Sequence, residues 1–222
     1  MNLQTIELNP GSAPRATVVV LHGLGADGTD FLSMADELKL GAVGPVRFVF
    51  PRAPVRRVTI NGGQPMRAWY DILGMDLVRR EDATGLRESI TAVHALLDAE
   101  VARGVPARRI VLAGFSQGCA ITLGAGVRYP QRLAGLVGMS GYMPLADTTA
   151  LERHDAHHDL PVFLGHGRSD GIVPLARGTA ARDLLLGLGH PVEWRDYPME
   201  HSVCMEEIQH VQAFLLKVLV ND

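Results

Sequence analysis

The sequence predicts an α/β fold in which a mostly parallel central sheet carries helices on both faces. Short apolar, β-branched runs recur along the chain, and segments of helical period separate them. Most of the runs are apolar throughout rather than alternating, the pattern of strands buried on both faces of a parallel sheet.

The strand candidates are ATVVVLHG (16–23), VRFVFP (46–51), RIVLAGFS (109–116), LAGLVGMS (133–140), PVFLGHG (161–167) and PVEWRDYP (191–198). The clearest helix runs from about Asp82 to Arg103: Leu86, Ile90, Val93, Leu97 and Val101 share one face, and Gly104 is a stop. Another runs from about Met205 to Val220, with Ile208, Val211, Leu215, Val218 and Leu219 spaced for one buried face. Two stretches, 52–81 and 141–160, break the alternation. Excursions of that length from an α/β core are usually binding loops or lids. No repeat, linker or low-complexity block divides the chain, so one domain over 1–222 is expected.

Hydrophobic residues make up 47% of the chain and charged ones 20%, an ordinary globular balance. A formal charge of −3 gives no electrostatic reason to expect nucleic acid or an anionic membrane as partner. No apolar run approaches the ~20 residues needed to span a bilayer. The opening MNLQTIELNPGSAPR lacks the basic start and apolar stretch of a signal peptide. Cys119 and Cys204 make no disulfide framework. A cytoplasmic protein without cofactor or metal is the resulting expectation.

Two segments match G-x-S-x-G: GFSQG (114–118) and GRSDG (167–171). A nucleophile elbow needs a strand, a sharp turn and a helix that starts at once, so that the Ser side chain clears the sheet edge. RIVLAGF before Ser116 reads as a buried strand, and QGCAITLGAGVRY after it as a helix of small and apolar residues. Asp170-Gly171 marks a turn, and Pro174 delays the next helix. Ser116 is therefore the expected nucleophile and Ser169 a loop residue.

The acid and base follow from chain order and strand ends. Asp170 directly follows the strand PVFLGHG, whereas Asp147, Asp155 and Asp159 lie in an irregular excursion, Asp183 in a helical stretch and Asp196 inside a strand. Among the later histidines, His190 enters a strand, His210 lies in a helix, and His201 occupies the loop PMEHSV where a base belongs. Donors for a developing oxyanion are expected from the N–H of Gln117, at the helix start, and from HGLGADG (22–28), with Leu24 as donor. The cluster HDAHHD (154–159) contains metal-ligand residue types, but no helical spacing repeats them, and a solvated loop is the simpler reading.

Together, HGLGADG, PRAPVRRVTINGG, MRAWYDI, AGFSQG, GLVGMSGYMP, HGRSDGIVP and YPMEHSV resemble the phospholipase/carboxylesterase family of α/β-hydrolases in order and spacing. The resemblance implies the α/β-hydrolase fold, a triad of Ser116, Asp170 and His201, and an oxyanion hole of the Leu24 and Gln117 N–H groups. It also implies that Trp69, Ile72 and Leu73 line an acyl-binding cleft. Cys119 stands where a third Gly or another small residue is usual. The implied activity is a serine carboxylesterase acting on short- to medium-chain esters, with an acyl-protein thioesterase or lysophospholipase as alternatives. The substrate is then a small-molecule ester or acyl thioester. Ile72, Leu73, Met75 and Leu77 form either an acyl-chain wall, or small lid, or the packed side of an irregular loop. The resemblance leaves a homodimer open. A non-catalytic binding protein on this scaffold would have lost a triad member or the oxyanion loop, and neither is lost.

Overall fold

The computed structural model describes residues 3–9, 11–74 and 81–220. Its central sheet contains β1 (Thr5–Leu8), β2 (Ala16–Leu21), β3 (Val46–Pro51), β6 (Ile110–Phe115), β7 (Gly135–Met139), β8 (Val162–Gly167) and β9 (Val192–Tyr197). The strand order is β1-β3-β2-β6-β7-β8-β9. Only β1 runs antiparallel to its neighbour, with Thr5 opposite Pro51 and Leu8 opposite Phe48. Around the sheet lie α1 (Leu32–Glu37), α2 (Ala83–Ala102), α3 (Gln117–Gly126), α4 (Ala146–Glu152), α5 (Leu175–Gly187) and α6 (Met205–Val220). Among the described residues, no helix is long and apolar enough to cross a membrane.

The continuous apolar runs mark strands sealed on both faces. Every residue of β2, β7 and β8 is buried. On one face, Leu86, Ile90, Val93 and Leu97 of α2 pack with α3 side chains over Val19, Leu21 and Leu112. On the other, Val211, Phe214, Leu215 and Leu219 of α6 pack with α1 side chains over Val18, Val20 and Val137. Each large apolar side chain buried this way contributes about 1.5–3 kcal/mol before conformational entropy is subtracted.

The first excursion holds a hairpin, β4 (Val55–Val58) and β5 (Gln64–Arg67). Its turn uses Gly62 and Gly63 at φ of 67° and 74°. Met75 and Leu77 fall outside the described residues. The second excursion contains α4. Its His157 is buried and its Nε2 donates to the Tyr129 carbonyl, while Asp159 pairs with Arg132.

α3 comes unusually close to the sheet. A Cβ on Gly118 would overlap the Leu21 and His22 carbonyls, and one on Gly114 would overlap the Gly118 carbonyl. Side-chain-free positions at both ends of GFSQG thus let the helix begin directly against β6 and β2.

Candidate active site

The turn from β6 into α3 leaves Ser116 at φ 56° and ψ −118°, a conformation that costs of order 1–3 kcal/mol for a residue with a Cβ. Its N–H is held by the Met139 carbonyl at 2.9 Å, and its own carbonyl accepts from Ala120 N–H at 3.2 Å. The strained backbone presents Oγ at the carboxyl end of the sheet.

Asp170 follows β8 and His201 follows β9, so all three groups stand at the same sheet edge, where open α/β sheets place their sites. His201 Nε2 lies 2.8 Å from Ser116 Oγ, and His201 Nδ1 lies 2.7 Å from Asp170 Oδ2. The Asp170 side chain has no exposed surface, while His201 keeps 17% of its own. Asp170 Oδ1 accepts from the N–H groups of Ile172 at 2.9 Å and Val173 at 2.8 Å. Those bonds fix the carboxylate plane and leave Oδ2 for the imidazole. Phe115 packs against the His201 ring, with centroids 4.8 Å apart.

His166 also approaches Asp170 Oδ2, at 3.5 Å, but its Nε2–H is committed to the Val173 carbonyl at 2.8 Å. Burial pushes this imidazole below its ordinary pKa, so it stays neutral beside the carboxylate. Ser169 is exposed, and its N–H bonds the Met199 carbonyl.

The loop after β2 passes directly over Ser116: a Cβ on Gly23 would lie 3.3 Å from Ser116 Cβ. Among the described residues, the N–H groups of Leu24 and Gln117 donate to no protein acceptor. Asp27 pins this loop from outside, accepting from Arg52 at 2.9 Å and Arg67 at 2.7 Å, while Gly25 N–H donates to the Arg67 carbonyl at 2.8 Å.

Trp69, an expected cleft residue, is enclosed by protein. It has no accessible surface, and its indole Nε1–H donates to the His22 carbonyl at 2.8 Å. Its backbone N–H donates to Gln117 Oε1 at 2.7 Å, and Gln117 Nε2 donates to the Tyr70 carbonyl at 2.8 Å. Ser89 Oγ donates to the Trp69 carbonyl. A large ring with one polar edge bridges two segments here. Ile72 is half-buried and Leu73 is 38% exposed on the loop that Gln117 anchors. His22, Asp27 and the Gln117 side chain are the contributors that pattern reading left unassigned. Their motifs were visible, but the bonds they make cross between distant segments.

Cys119 is fully buried, and a Cβ on Gly141 would collide with it. The position takes a small side chain in tight packing, and burial pushes the thiol far above its ordinary pKa, as an inert core thiol requires.

Comparison with known proteins places this geometry in a family. The phospholipase/carboxylesterase family model matches residues 3–219. Acyl-protein thioesterase 1 of Gibberella zeae is 40% identical over 213 residues, 92% of this chain and 91% of that protein. Acyl-protein thioesterase 1 of Schizosaccharomyces pombe is 37% identical over 220 residues, covering 98% and 97%. The crystal structure of Zea mays acyl-protein thioesterase 2 superposes with a TM-score of 0.86 at 29% identity, covering 97% of this chain and 99% of that one. The fold, the serine at the elbow and these similarities agree: the chain is a serine hydrolase and belongs to the phospholipase/carboxylesterase family.

Proposed function

We propose that this hydrolase cleaves acyl thioesters of S-acylated proteins, with Ser116 as nucleophile, His201 as general base and acid, and Asp170 as the orienting carboxylate. The observation that carries the reading is the continuous relay of 2.8 Å and 2.7 Å contacts ending on the strained serine. Relatives named acyl-protein thioesterase 1, matched over nearly their full length, support the thioester rather than a generic ester as substrate.

His201 Nε2 accepts the Ser116 proton as Oγ attacks the acyl carbon. The N–H groups of Leu24 and Gln117 hold the resulting oxyanion, each donor lowering the barrier by about 3 kcal/mol. The imidazolium, stabilised by Asp170, protonates the departing thiolate and leaves an acyl-serine. Water then attacks the acyl carbon, giving its proton to His201, and the same proton returns to Ser116 as the carboxylic acid leaves. Two free cysteines, Cys119 and Cys204, suit a reducing cytoplasm as the place of action.

A second reading, a carboxylesterase for short- to medium-chain esters, is favoured by the matching family's own description. The two separate on kcat/KM for p-nitrophenyl esters from acetate to palmitate, an S-palmitoyl peptide and a lysophospholipid. The highest value is expected on the S-palmitoyl peptide. Turnover of short esters with no thioester cleavage would select the carboxylesterase instead.

A further inference from the structure

We propose that His22 is a positioning residue of the oxyanion hole: its imidazole holds the Gly23 carbonyl and thereby aims the Leu24 N–H at the reacting oxygen. The proposal rests on the reading of Leu24 as an oxyanion donor.

The His22 ring has no solvent-accessible surface and sits between two backbone groups. Its Nε2 lies 3.0 Å from the Ala53 amide nitrogen, and its Nδ1 lies 2.7 Å from the Gly23 carbonyl oxygen. An amide N–H can only donate, so Nε2 must offer its lone pair. The ring proton is then on Nδ1 and is donated to Gly23. Burial lowers the basicity of this imidazole, which favours the neutral ring with a single proton to place.

Gly23 C=O and Leu24 N–H are the two ends of one peptide unit. In a planar trans peptide they point in opposite directions, so whatever fixes the oxygen fixes the direction of the N–H. The only other group on that oxygen among the described residues is Ala26 N–H, in the turn itself, at 3.3 Å. The shorter bond comes from His22. It also polarises the peptide, which strengthens the N–H at the far end as a donor. The peptide lies beside the nucleophile, since a Cβ on Gly23 would be 3.3 Å from Ser116 Cβ.

The ring cannot swing away. Trp69 Nε1–H holds the His22 carbonyl at 2.8 Å and its ring packs against the imidazole with centroids 5.5 Å apart. Through Gln117, which bonds both Trp69 and Tyr70, this scaffold also joins the helix that supplies the second donor. One buried histidine therefore sets the angle between the two donors.

The test compares His22→Asn, His22→Gln and His22→Leu. Asn can place an amide donor near the Nδ1 position, Gln places it nearer Nε2, and Leu offers none. The readouts are kcat and KM on the best substrate of the panel, and Ki for a trifluoromethyl ketone of matched acyl length, whose hydrate-like adduct carries the oxyanion. For Gln and Leu, kcat is expected to fall about 10- to 100-fold, short of the roughly 10²–10³ seen when a donor is removed outright. KM should stay within about threefold, inhibitor affinity should fall in step with kcat/KM, and Asn should recover part of the loss. Flat kcat across the series, a loss confined to KM, or Asn no better than Leu would overturn the proposal. Nitrogen-15 NMR of the wild-type protein gives a check that needs no variant: the His22 proton is expected on Nδ1, and a proton on Nε2 overturns the proposal. Ser116→Ala in the same assay separates the levels. If it is inactive while the His22 series is flat, only the role of His22 fails; if it stays active, the nucleophile assignment beneath it fails.

Discussion

Ser116 and Ser169 carry the same five-residue signature and meet different fates because of the backbone each inherits. Ser116 is forced to positive φ by an immediate strand-to-helix turn and bonds His201, whereas Ser169 sits exposed in a loop with its N–H on Met199. In the proposed mechanism the second motif contributes Asp170, whose Oδ1 accepts from two backbone N–H groups while Oδ2 faces Nδ1 of His201. Replacing Asp170 with Asn would put an amide donor against Nδ1 or leave it without its acceptor. Either outcome disfavours the tautomer that can take the Ser116 proton. Turnover of Asp170→Asn is expected to drop about ten-thousandfold, by analogy with other triads, with the fold intact by circular dichroism. Activity within tenfold of wild type would remove Asp170 from the mechanism.

At the level of elements, legibility followed burial. Runs such as ATVVVLHG and PVFLGHG gave strands within a residue or two of β2 and β8, because sealing both faces demands an unbroken apolar code. The amphipathic stripes of α2 and α6 were equally plain. β1 was not, since TIEL is a four-residue edge strand of half-buried residues, and its pairing with β3 is a non-local bond. The β4–β5 hairpin was hidden by Pro65 and by Arg56, Arg57 and Arg67, which read as loop. α3 shows the converse case. All ten of its residues are buried, so it has no stripe, and only its place after the elbow marked it as a helix. The proposed triad of Ser116, Asp170 and His201 was readable because each member sits at a strand end in fixed order. The Trp69–His22–Gln117 scaffold was not, because its bonds join residues about fifty positions apart and include backbone atoms that no residue pattern encodes.

Across the whole molecule, buried ionisable groups set the pH range of stability. Glu207, in the first turn of α6, is fully buried with no hydrogen-bond partner on either carboxyl oxygen among the described residues. Burial pushes its pKa up to about 8, from the 4.5 expected of an unfolded chain. Between those limits the native state keeps a proton that the unfolded chain releases, so stability falls as pH rises through the window. Glu207→Gln removes that dependence. Its stability relative to wild type is expected to rise by on the order of a few kcal/mol from pH 5 to pH 8, measured by urea denaturation; a pH-independent difference would refute the assignment. The histidines act in the opposite sense. Burial lowers His22, His94, His166 and His190, and takes His157 down to about 4. The unfolded chain therefore gains protons first as pH drops below about 6.5, and stability is lost towards acid. The two effects oppose each other, the histidines penalising acid and Glu207 penalising alkaline pH, so stability is greatest between the two losses. A fluorophosphonate probe tests most directly the proposal that bond making runs through Ser116. Incubation with folded protein followed by peptide mass mapping should find one adduct, on Ser116, with activity lost in proportion to labelling and Ser169 unmodified. An adduct on Ser169, or full activity after Ser116 is completely labelled, would contradict it.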